Sequence, residues 1–319
     1  MEPDFDAIVI GGGPAGLSAA LWLGRYRRRT AVIDAGRQRN LASNAAHGYL
    51  TRDGVSPLKL LENAEQEVAR YPEVTFVREP VKKVRRAGEL FEVTAGEAKM
   101  LARRLLLATG VQDACPDVPG FSELYGRSLF HCSCCDGYES RDQDVVAIGW
   151  GEHVAGFALD LLDWGARVTL VTNGERFQGD EACRAALGSN EIPIVEDRVT
   201  EILRDGDSMT AIRVASGAEI PATRAFFSIA HEPRNDIAVS LGCEIDDLGY
   251  VKVGAHGETT VEHVYAAGDV TPGEQLIATA AAEGVVAGIA CGMSLRGLTP
   301  APGAPPPGPD PEAELEANS

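Results

Sequence analysis

The sequence is poor in basic residues. It has 29 Lys and Arg against 47 Asp and Glu, so its formal net charge at pH 7 is −18. Binding to nucleic-acid phosphates needs clustered cations, so this balance argues against a nucleic-acid partner. The sequence also lacks an uninterrupted apolar run near the ~20 residues that cross a bilayer. Positions 1–6 lack the basic start of a secretory signal. We therefore expect a cytoplasmic protein without a membrane partner.

Cysteine is present, but not in the even, regular spacing of a secreted disulfide scaffold. Three of the seven cysteines fall within four positions, at Cys132, Cys134 and Cys135. In a reducing compartment such a cluster indicates redox or metal chemistry. Zinc would need a second ligand pair, and no further C-x-x-C or H-x-x-x-H pair exists, so we expect no metal. The isolated cysteines are predicted to be core residues, at Cys115, Cys183, Cys243 and Cys291.

Cys132 and Cys135 have the C-x-x-C spacing that lets two thiols close a reducible disulfide. Asp136 follows directly and could take up or deliver a proton. We therefore predict Cys132, Cys135 and Asp136 as catalytic residues. Cys134 is a rival, because it could pair with either neighbour. Alternation along an extended segment would point it away from both.

Two segments of the chain show the strand, helix, strand order of a βαβ unit, which implies a parallel sheet. They lie roughly one domain length apart, so they indicate two nucleotide-binding folds. The first unit is predicted at 5–10, 16–24 and 30–34, and the second at 144–148, 153–164 and 167–172.

The first unit contains the G-x-G-x-x-G turn of a dinucleotide site, formed by Gly11, Gly13 and Gly16. These glycines allow a tight turn, close approach of a pyrophosphate, and close packing of helix on strand. Asp34 ends the next strand and suits the adenosine ribose. Further along, Ala108-Thr109-Gly110 closes a hydrophobic strand, and Asp269 in the stretch AAGDV suits a ribityl hydroxyl. Together these segments predict FAD, with a helix from Gln275 directed at the flavin.

The order of these motifs, with C-x-x-C-D between them, resembles the low-molecular-weight thioredoxin reductase family of flavoprotein disulfide reductases. The resemblance implies an α/β fold of two Rossmann-like three-layer ββα/βαβ domains, the second inserted into the first. The FAD-binding domain would comprise 1–113 and 246–298, and the insert carrying the dithiol 114–245. Residues 299–319 are Pro-rich and acidic, and we expect them to be disordered. A homodimer is also implied.

By the same resemblance, Cys135 would face the flavin and Cys132 would attack the disulfide of a thioredoxin-like protein or small molecule. His47, in the stretch AHGYLTRDG, lies where one subgroup of the family crosses near the flavin. The predicted FAD-binding residues are Gly11, Gly13, Pro14, Ala15, Gly16, Asp34, Ala35, His47, Val81, Ala108, Thr109, Gly110, Gly268, Asp269, Gln275 and Leu276.

A second glycine turn, at Gly149 and Gly151, is the candidate nicotinamide nucleotide site. Trp150 separates the two glycines, and Glu152 adds negative charge near a would-be pyrophosphate. The NADPH-using members of the family carry His-Arg-Arg after the next strand, whereas positions 172–174 here read Thr, Asn and Gly. Without cations a 2′-phosphate has no evident partner. The sequence disfavours NADPH, and it leaves NADH or no nicotinamide at all as alternatives.

Three functions therefore fit the sequence. The first is a disulfide reductase that passes electrons from a reduced nucleotide through FAD to Cys132 and Cys135. The second is the reverse reaction, an oxygen-using dithiol oxidase, which some similar flavoproteins perform on small natural products; others draw electrons from ferredoxin or a second flavin. The third is a redox sensor in which the dithiol is a switch, and the intact motif beside the FAD signatures disfavours it.

Overall fold

A computed structural model describes residues 2–228 and 231–298 of the chain. The predicted disordered tail, 299–319, lies outside the described residues. The strands, in chain order, are β1 (Phe5–Ile10), β2 (Thr30–Ile33), β3 (Val74–Val77), β4 (Val81–Ala87), β5 (Leu90–Ala95), β6 (Ala98–Leu107), β7 (Val111–Asp113), β8 (Leu129–Phe130), β9 (Asp144–Ile148), β10 (Arg167–Val171), β11 (Ile194–Val195), β12 (Val199–Asp205), β13 (Ser208–Val214), β14 (Glu219–Pro221), β15 (Arg224–Phe227), β16 (His231–Pro233) and β17 (Val264–Ala266).

The helices connect these strands and cover both sheets. In chain order they are α1 (Pro14–Arg25), α2 (Pro57–Val68), α3 (Phe121–Leu124), α4 (Ser133–Asp136), α5 (Val154–Asp160), α6 (Glu181–Ser189), α7 (Asp236–Leu241) and α8 (Ile277–Ser294). Short 3₁₀ turns lie at Arg39–Ala42, Tyr138–Ser140 and Leu161–Asp163.

The first sheet joins strands from both ends of the described chain. Its order is β3-β2-β1-β6-β5-β4, and β17 pairs with β6. The pairs among β1, β2, β3, β6 and β17 are parallel, whereas β4, β5 and β6 form an antiparallel meander. The parallel strands read as continuous apolar runs because both faces of a parallel sheet are covered. Val9 lies in register with Val32 on one side and Leu106 on the other, and all three are fully buried.

Helix α8 packs tightly on α1 through glycines. A Cβ atom on Gly284 would lie 2.0 Å from the Ala15 carbonyl oxygen, and one on Gly288 would lie 2.8 Å from the Ala19 backbone. Only glycine allows the backbones to approach this closely. By length and composition α8 is also apolar enough to cross a membrane. Its burial against α1, with Cys291 fully buried, accounts for that composition within the fold.

The second sheet lies entirely between β7 and β16 in the sequence. Its order is β11-β10-β9-β15-β8, with parallel pairing throughout, and the antiparallel sheet β12-β13-β14 packs beside it. β7 and β16, where the chain leaves and re-enters the first domain, pair antiparallel with each other. The predicted fold class is therefore confirmed, with two Rossmann-like units and the second inserted into the first.

The predicted insert, 114–245, includes a segment that packs elsewhere. Ala238 in α7 and Cys243 after it are buried in the core of the first sheet, together with Val84 and Phe91. The chain therefore returns to the first domain at α7, before the predicted boundary. The sequence did not reveal this because α7 has only six residues, too few to display a helical period.

Candidate active site

A large cavity of about 1150 Å³ runs between the two domains. It begins at the glycine turn between β1 and α1 and ends at the cysteine cluster. Its volume exceeds the ~300–1,000 Å³ of ordinary small-ligand pockets, as an extended dinucleotide would require. Helix α1 starts at Pro14, with no side chain capping its first amides. Such free, oriented N–H groups are the usual partners of a phosphate.

The three motif glycines have different surroundings. Gly11 has a positive φ of 110°, and a Cβ there would lie 2.1 Å from the Ala108 carbonyl oxygen. A Cβ on Gly13 would meet nothing within 4 Å, so this glycine faces open space in the cavity. Gly16 does not line the cavity; a Cβ there would lie 1.9 Å from the Gly11 carbonyl oxygen. Gly16 therefore allows the helix to pack on the turn rather than touching a ligand.

Asp34 is buried at the end of β2 and fixes the glycine turn. Its Oδ1 accepts the Gly12 N–H at 3.0 Å, and its Oδ2 accepts the Gln38 Nε2 at 2.7 Å and the Gly36 N–H at 3.1 Å. The carboxylate also lines the cavity, where the sequence predicted a ribose partner. The Asp34 carboxylate is therefore held in place by the backbone of the glycine turn and by the residues that follow β2.

The predicted FAD-binding residues converge on this one cavity, Gly16 excepted. Most of them come from the ends of β1, β2, β6 and β17, from the start of α1 and from the segment before α8, whereas His47 lies in the loop before α2 and Val81 begins β4. Gln275 and Leu276 precede the first turn of α8, which begins at Ile277 rather than at the predicted Gln275. The residues that line the cavity are Gly11, Gly13, Pro14, Ala15, Asp34, Ala35, His47, Val81, Ala108, Thr109, Gly110, Gly268, Asp269, Gln275 and Leu276.

Cys132 and Cys135 are joined by a disulfide, with their Cα atoms 5.2 Å apart. Cys132 precedes the short helix α4, and its Sγ accepts the Cys135 N–H at 3.1 Å. Cys135 lines the cavity, whereas Cys132 is not among its lining residues. The two sulfurs therefore have different surroundings, with Cys135 on the side of the glycine turn.

Cys134 is a free, exposed thiol that also lines the cavity. Cys134 lies outside the disulfide, as predicted, but the segment assumed to be extended is a helical turn. Two of the isolated cysteines, Cys243 and Cys291, are buried as expected. Cys115 is exposed and Cys183 is partly so; neither is a core residue. Within 2–228 and 231–298, no group of three or more potential ligands is arranged to hold a metal.

Asp136 is the acid beside the dithiol and lines the same cavity. Burial raises the pKa of its carboxyl to about 7. Attraction by His47 opposes this rise, and repulsion by Glu139 adds to it. His47 Nδ1 lies 3.5 Å from Glu139 Oε1 and 3.7 Å from Asp53 Oδ1, so the loop that carries His47 lies against Glu139, three residues after Asp136. A carboxyl that titrates near neutral pH can both give and accept protons.

A buried polar network next to the dithiol was missed by the sequence analysis. Arg39 donates to Asp113 from Nε at 2.9 Å and Nη2 at 2.5 Å, and from Nη1 to Gln275 Oε1 at 2.7 Å. Tyr125 donates its hydroxyl to Asp113 Oδ2 and lies 3.2 Å from His131 Nδ1. Nothing in the polar sequence around Arg39 predicts that its side chain is only 15% exposed.

The network fixes the charges of its members. Burial alone would raise the pKa of Asp113, but hydrogen bonds and attraction from Arg39 lower it overall. Burial lowers the pKa of His131 to about 4, and the positive charge of Arg39 adds to the effect. Asp113 is therefore ionised and His131 neutral near pH 7.

The model of the pyridine nucleotide-disulphide oxidoreductase family matches residues 5–284. The chain belongs to this family.

Individual members of the family resemble the chain over most of its length. This chain is 33% identical over 279 residues to a thioredoxin reductase, tcpT, of Claviceps purpurea; the match covers 83% of this chain and 86% of the relative. Among solved structures, a Bacillus anthracis protein described as thioredoxin reductase TrxB has a TM-score of 0.87 and 32% identity, over 92% of this chain and 99% of its own. HlmI also has a TM-score of 0.87, with 33% identity over 92% of each chain. The chain is thus an FAD-dependent disulfide oxidoreductase of thioredoxin reductase type.

The second glycine turn of this oxidoreductase lies between β9 and α5. Gly151 has a positive φ of 95°, Trp150 is 44% exposed, and Glu152 is exposed two positions before α5. His153, which precedes the first residue of α5, is hydrogen-bonded through Nε2 to Ser228 Oγ at 2.6 Å.

After β10, the side chains of Thr172 and Asn173 make hydrogen bonds within the domain. Asn173 accepts the Val199 N–H at 3.0 Å, and Thr172 donates its hydroxyl to the Glu175 carbonyl. These contacts use the Thr172 and Asn173 side chains internally. Gly149 and Gly151 stay predictions for a nicotinamide nucleotide.

Proposed function

We propose that the enzyme moves two electrons between FAD and the Cys132–Cys135 pair, and that it thereby reduces the disulfide of a thioredoxin-like protein or a small molecule. The observation that carries the proposal is that Cys135 lines the same cavity as the glycine turn at Gly11 and Gly13. The cavity joins a dinucleotide-binding turn to a redox-active disulfide, which is the requirement for exchange between the two.

The residues around the cavity fit FAD. The free amides at the start of α1 suit its phosphates, and Asp34 and Asp269 suit its ribose and ribityl hydroxyls. Burial raises the pKa of Asp269, with the attraction of Arg39 opposing the rise. When bound, FAD supplies a two-electron acceptor and donor that the side chains themselves do not provide.

The two cysteines have separate roles in the proposal. Cys135 faces the cofactor, and Cys132 exchanges disulfides with the substrate. The Cys135 N–H that points at Cys132 Sγ would stabilise a thiolate there, because an oriented amide favours negative charge. Asp136 would supply or accept the proton that accompanies each change in the dithiol.

A second candidate is the reverse reaction, in which a substrate dithiol reduces the cysteines and oxygen reoxidises the flavin. Exposed Glu152, two positions before α5, favours it, since an acid near a helix N-terminus repels a pyrophosphate. The sequence Thr172-Asn173-Gly174 also favours it, because it lacks the His-Arg-Arg cations with which NADPH-using members of the family bind a 2′-phosphate. A reductase fed by NADH, by ferredoxin or by another flavin is a variant of the first candidate.

Anaerobic mixing separates these candidates. The FAD-loaded enzyme is mixed with NADH, with NADPH and with dithiothreitol in turn, and the flavin absorbance is followed. Bleaching by dithiothreitol supports the exchange itself, and its absence would refute the proposal. We expect weak or no bleaching by NADPH; reduction within seconds at micromolar NADPH would contradict the assignment of the second glycine turn. Bleaching by NADH identifies a reductase, and bleaching by dithiothreitol alone favours the oxidase or another donor.

We also propose a homodimer in the cytoplasm. The resemblance to thioredoxin reductases supports the dimer, and the cysteine usage suits a reducing compartment. Light scattering coupled to size-exclusion chromatography would give twice the mass of the 33.8 kDa chain if the dimer forms, and the mass of one chain would refute it.

A further inference from the structure

The two domains are joined in the sequence at β7 and β16, which have three residues each and pair with each other. Such a short link allows the domains to change their relative orientation unless further contacts hold them. Cys135 belongs to the insert, whereas the glycine turn that lines the same cavity belongs to the first domain. The place of Cys135 in the cavity therefore depends on how the insert is held against the first domain.

A row of hydrogen bonds crosses from the first domain into the insert next to the dithiol. Arg39, in the 3₁₀ turn after β2, donates two hydrogen bonds to Asp113, the last residue of β7. Asp113 in turn accepts the hydroxyl of Tyr125, which directly follows α3 in the insert. Tyr125 Oη lies 3.2 Å from Nδ1 of His131, the residue before Cys132. We call Arg39, Asp113, Tyr125 and His131 the interdomain brace.

The centre of the interdomain brace is a buried ion pair. The side chain of Arg39 is 15% exposed and that of Asp113 is 7% exposed. Burial alone would raise the pKa of Asp113, but the hydrogen bonds and charge of Arg39 lower it overall, so the carboxylate is ionised at neutral pH. Hydrogen bonds to ions are stronger than neutral ones, and salt screens buried charges little. The Tyr125 hydroxyl is therefore strongly tied to the first domain.

The backbones of the two domains also meet beside the interdomain brace. Gly126 follows Tyr125 and has a positive φ of 76°. A Cβ on Gly126 would lie 2.3 Å from the Ala42 carbonyl oxygen and 2.8 Å from the Ser43 nitrogen. Ala42 ends the same 3₁₀ turn that begins at Arg39. The insert therefore rests directly on the turn that supplies Arg39, and only glycine allows this approach.

We propose that Tyr125 and Gly126 are positioning residues that hold the insert against the 3₁₀ turn of the first domain and so keep Cys135 at the cavity. The inference rests on the proposed function, in which Cys135 exchanges electrons with the cofactor there. Neither residue takes part in the chemistry of the exchange. When the contact is weakened, the Cys132–Cys135 disulfide should still react with a thiol, whereas its exchange with the cofactor should become slow.

Tyr125→Phe weakens the contact with the least change to the insert. It removes the hydroxyl that Asp113 accepts, while the ring keeps its packing against Phe121 and Phe227, whose centroids lie 6.1 Å and 5.6 Å away. Tyr138→Phe is the matched control, because it removes the same group from a side chain near the dithiol that is 64% exposed.

Gly126→Ala acts on the second contact by placing a methyl group between the domains. Gly120→Ala is the matched control, because Gly120 also has a positive φ, of 84°. A Cβ on Gly120 would lie 2.2 Å from the Ile202 carbonyl oxygen, which belongs to the insert itself. Both substitutions strain the insert, but only Gly126→Ala acts across the domain contact.

Hydrogen exchange measured by mass spectrometry on the FAD-loaded enzyme tests the contact without a redox step. Amides of 39–46 lie in the first domain at the contact, and those of β9 lie in the core of the insert. A hydrogen bond to an ion changes an opening equilibrium roughly 10- to 100-fold, so Tyr125→Phe should accelerate exchange in 39–46 by that factor and leave β9 unchanged. Unchanged exchange in 39–46, or equal acceleration in β9, would overturn the proposal.

A kinetic test separates domain positioning from the chemistry of the dithiol. Each variant is mixed anaerobically with dithiothreitol; the thiols of Cys132 and Cys135 are trapped and counted, and flavin absorbance is followed. In Tyr125→Phe and Gly126→Ala we expect thiols to form at the wild-type rate and bleaching to slow about tenfold. The controls should bleach at the wild-type rate. Wild-type bleaching in both variants, or thiol formation slowed as much as bleaching, would contradict the positioning role.

The two tests also distinguish this inference from the proposed function. If the wild-type thiols form and the flavin does not bleach, the exchange between Cys135 and the cofactor is refuted. Hydrogen exchange in 39–46 still decides, in that case, whether Tyr125 and Gly126 hold the two domains together.

Discussion

Replacing Asp136 by Asn removes the titrating carboxyl beside the dithiol while preserving its size. Burial raises the pKa of Asp136 from 3.8 to about 7, with His47 opposing the rise and Glu139 adding to it. A shift of about three units corresponds to ~4 kcal/mol of preference for the neutral acid. The carboxyl is then about 90% ionised at pH 8 and about 10% ionised at pH 6.

This titration predicts how the oxidation of the dithiol depends on pH. The oxidation releases a thiol proton, and ionised Asp136 is the group that would accept it. At saturating dithiothreitol, anaerobic bleaching of the flavin should therefore quicken about tenfold per unit below pH 7 and level off above it. In Asp136→Asn the plateau should fall by roughly 10² or more, and the break near pH 7 should disappear.

The same shift has a consequence for stability. The carboxyl ionises near pH 4 in the unfolded chain and near pH 7 in the folded one, so the folded state loses up to ~4 kcal/mol across that interval. Asp136→Asn avoids this loss and should unfold at a higher temperature than wild type at pH 8, but not at pH 4. Asp142→Asn is the control, because Asp142 is exposed and its φ of 61° suits Asn. A break near pH 7 that persists in Asp136→Asn would refute the assignment.

Three further predictions concern helix packing, the glycine turn and Cys134. Gly284→Ala should lower the free energy of unfolding by ~1–3 kcal/mol, since its Cβ would lie 2.0 Å from a backbone oxygen. Gly188→Ala, at an exposed position of α6, should raise the free energy of unfolding by ~0.5–1 kcal/mol, and thermal unfolding of the two variants tests both values. Asp34→Ala leaves the Gly12 N–H without its acceptor, at a cost of ~1–3 kcal/mol, so FAD should dissociate about tenfold or more readily, as measured by flavin fluorescence. Cys134→Ser should retain dithiol-driven bleaching at the wild-type rate, and loss of bleaching would show that Cys134 belongs to the working pair.

The sequence predicted the parts of the fold that leave a local pattern. The apolar runs at β1 and β9 have the predicted bounds, because buried parallel strands are continuous in their hydrophobicity. The glycine turns were visible because each needs glycine for a stated backbone reason. α7 was assigned to the wrong domain, because its burial against β4 and β5 depends on contacts far apart in the sequence.

In the active site too, the residues of a local motif were predicted, and those that meet only through the fold were not. Cys132, Cys135 and Asp136 form a contiguous motif, so their spacing carries the signal. In the buried polar network, Arg39 contacts Asp113 across 74 positions of the sequence and Tyr125 contacts Asp113 across 12, and no residue type or spacing in the sequence predicts these contacts. Cys134 was predicted to point away from its neighbours on the assumption of an extended segment, and the helical turn at α4 removes that reason.

Cys135→Ser tests most directly whether Cys132 and Cys135 are the pair that exchanges electrons with the flavin. The variant is purified with FAD, mixed anaerobically with dithiothreitol, and followed by flavin absorbance, with Cys115→Ser as the control for an exposed free cysteine elsewhere. We predict that Cys135→Ser keeps its bound FAD and does not bleach, while Cys115→Ser bleaches at the wild-type rate. Bleaching of Cys135→Ser at the wild-type rate would contradict the account.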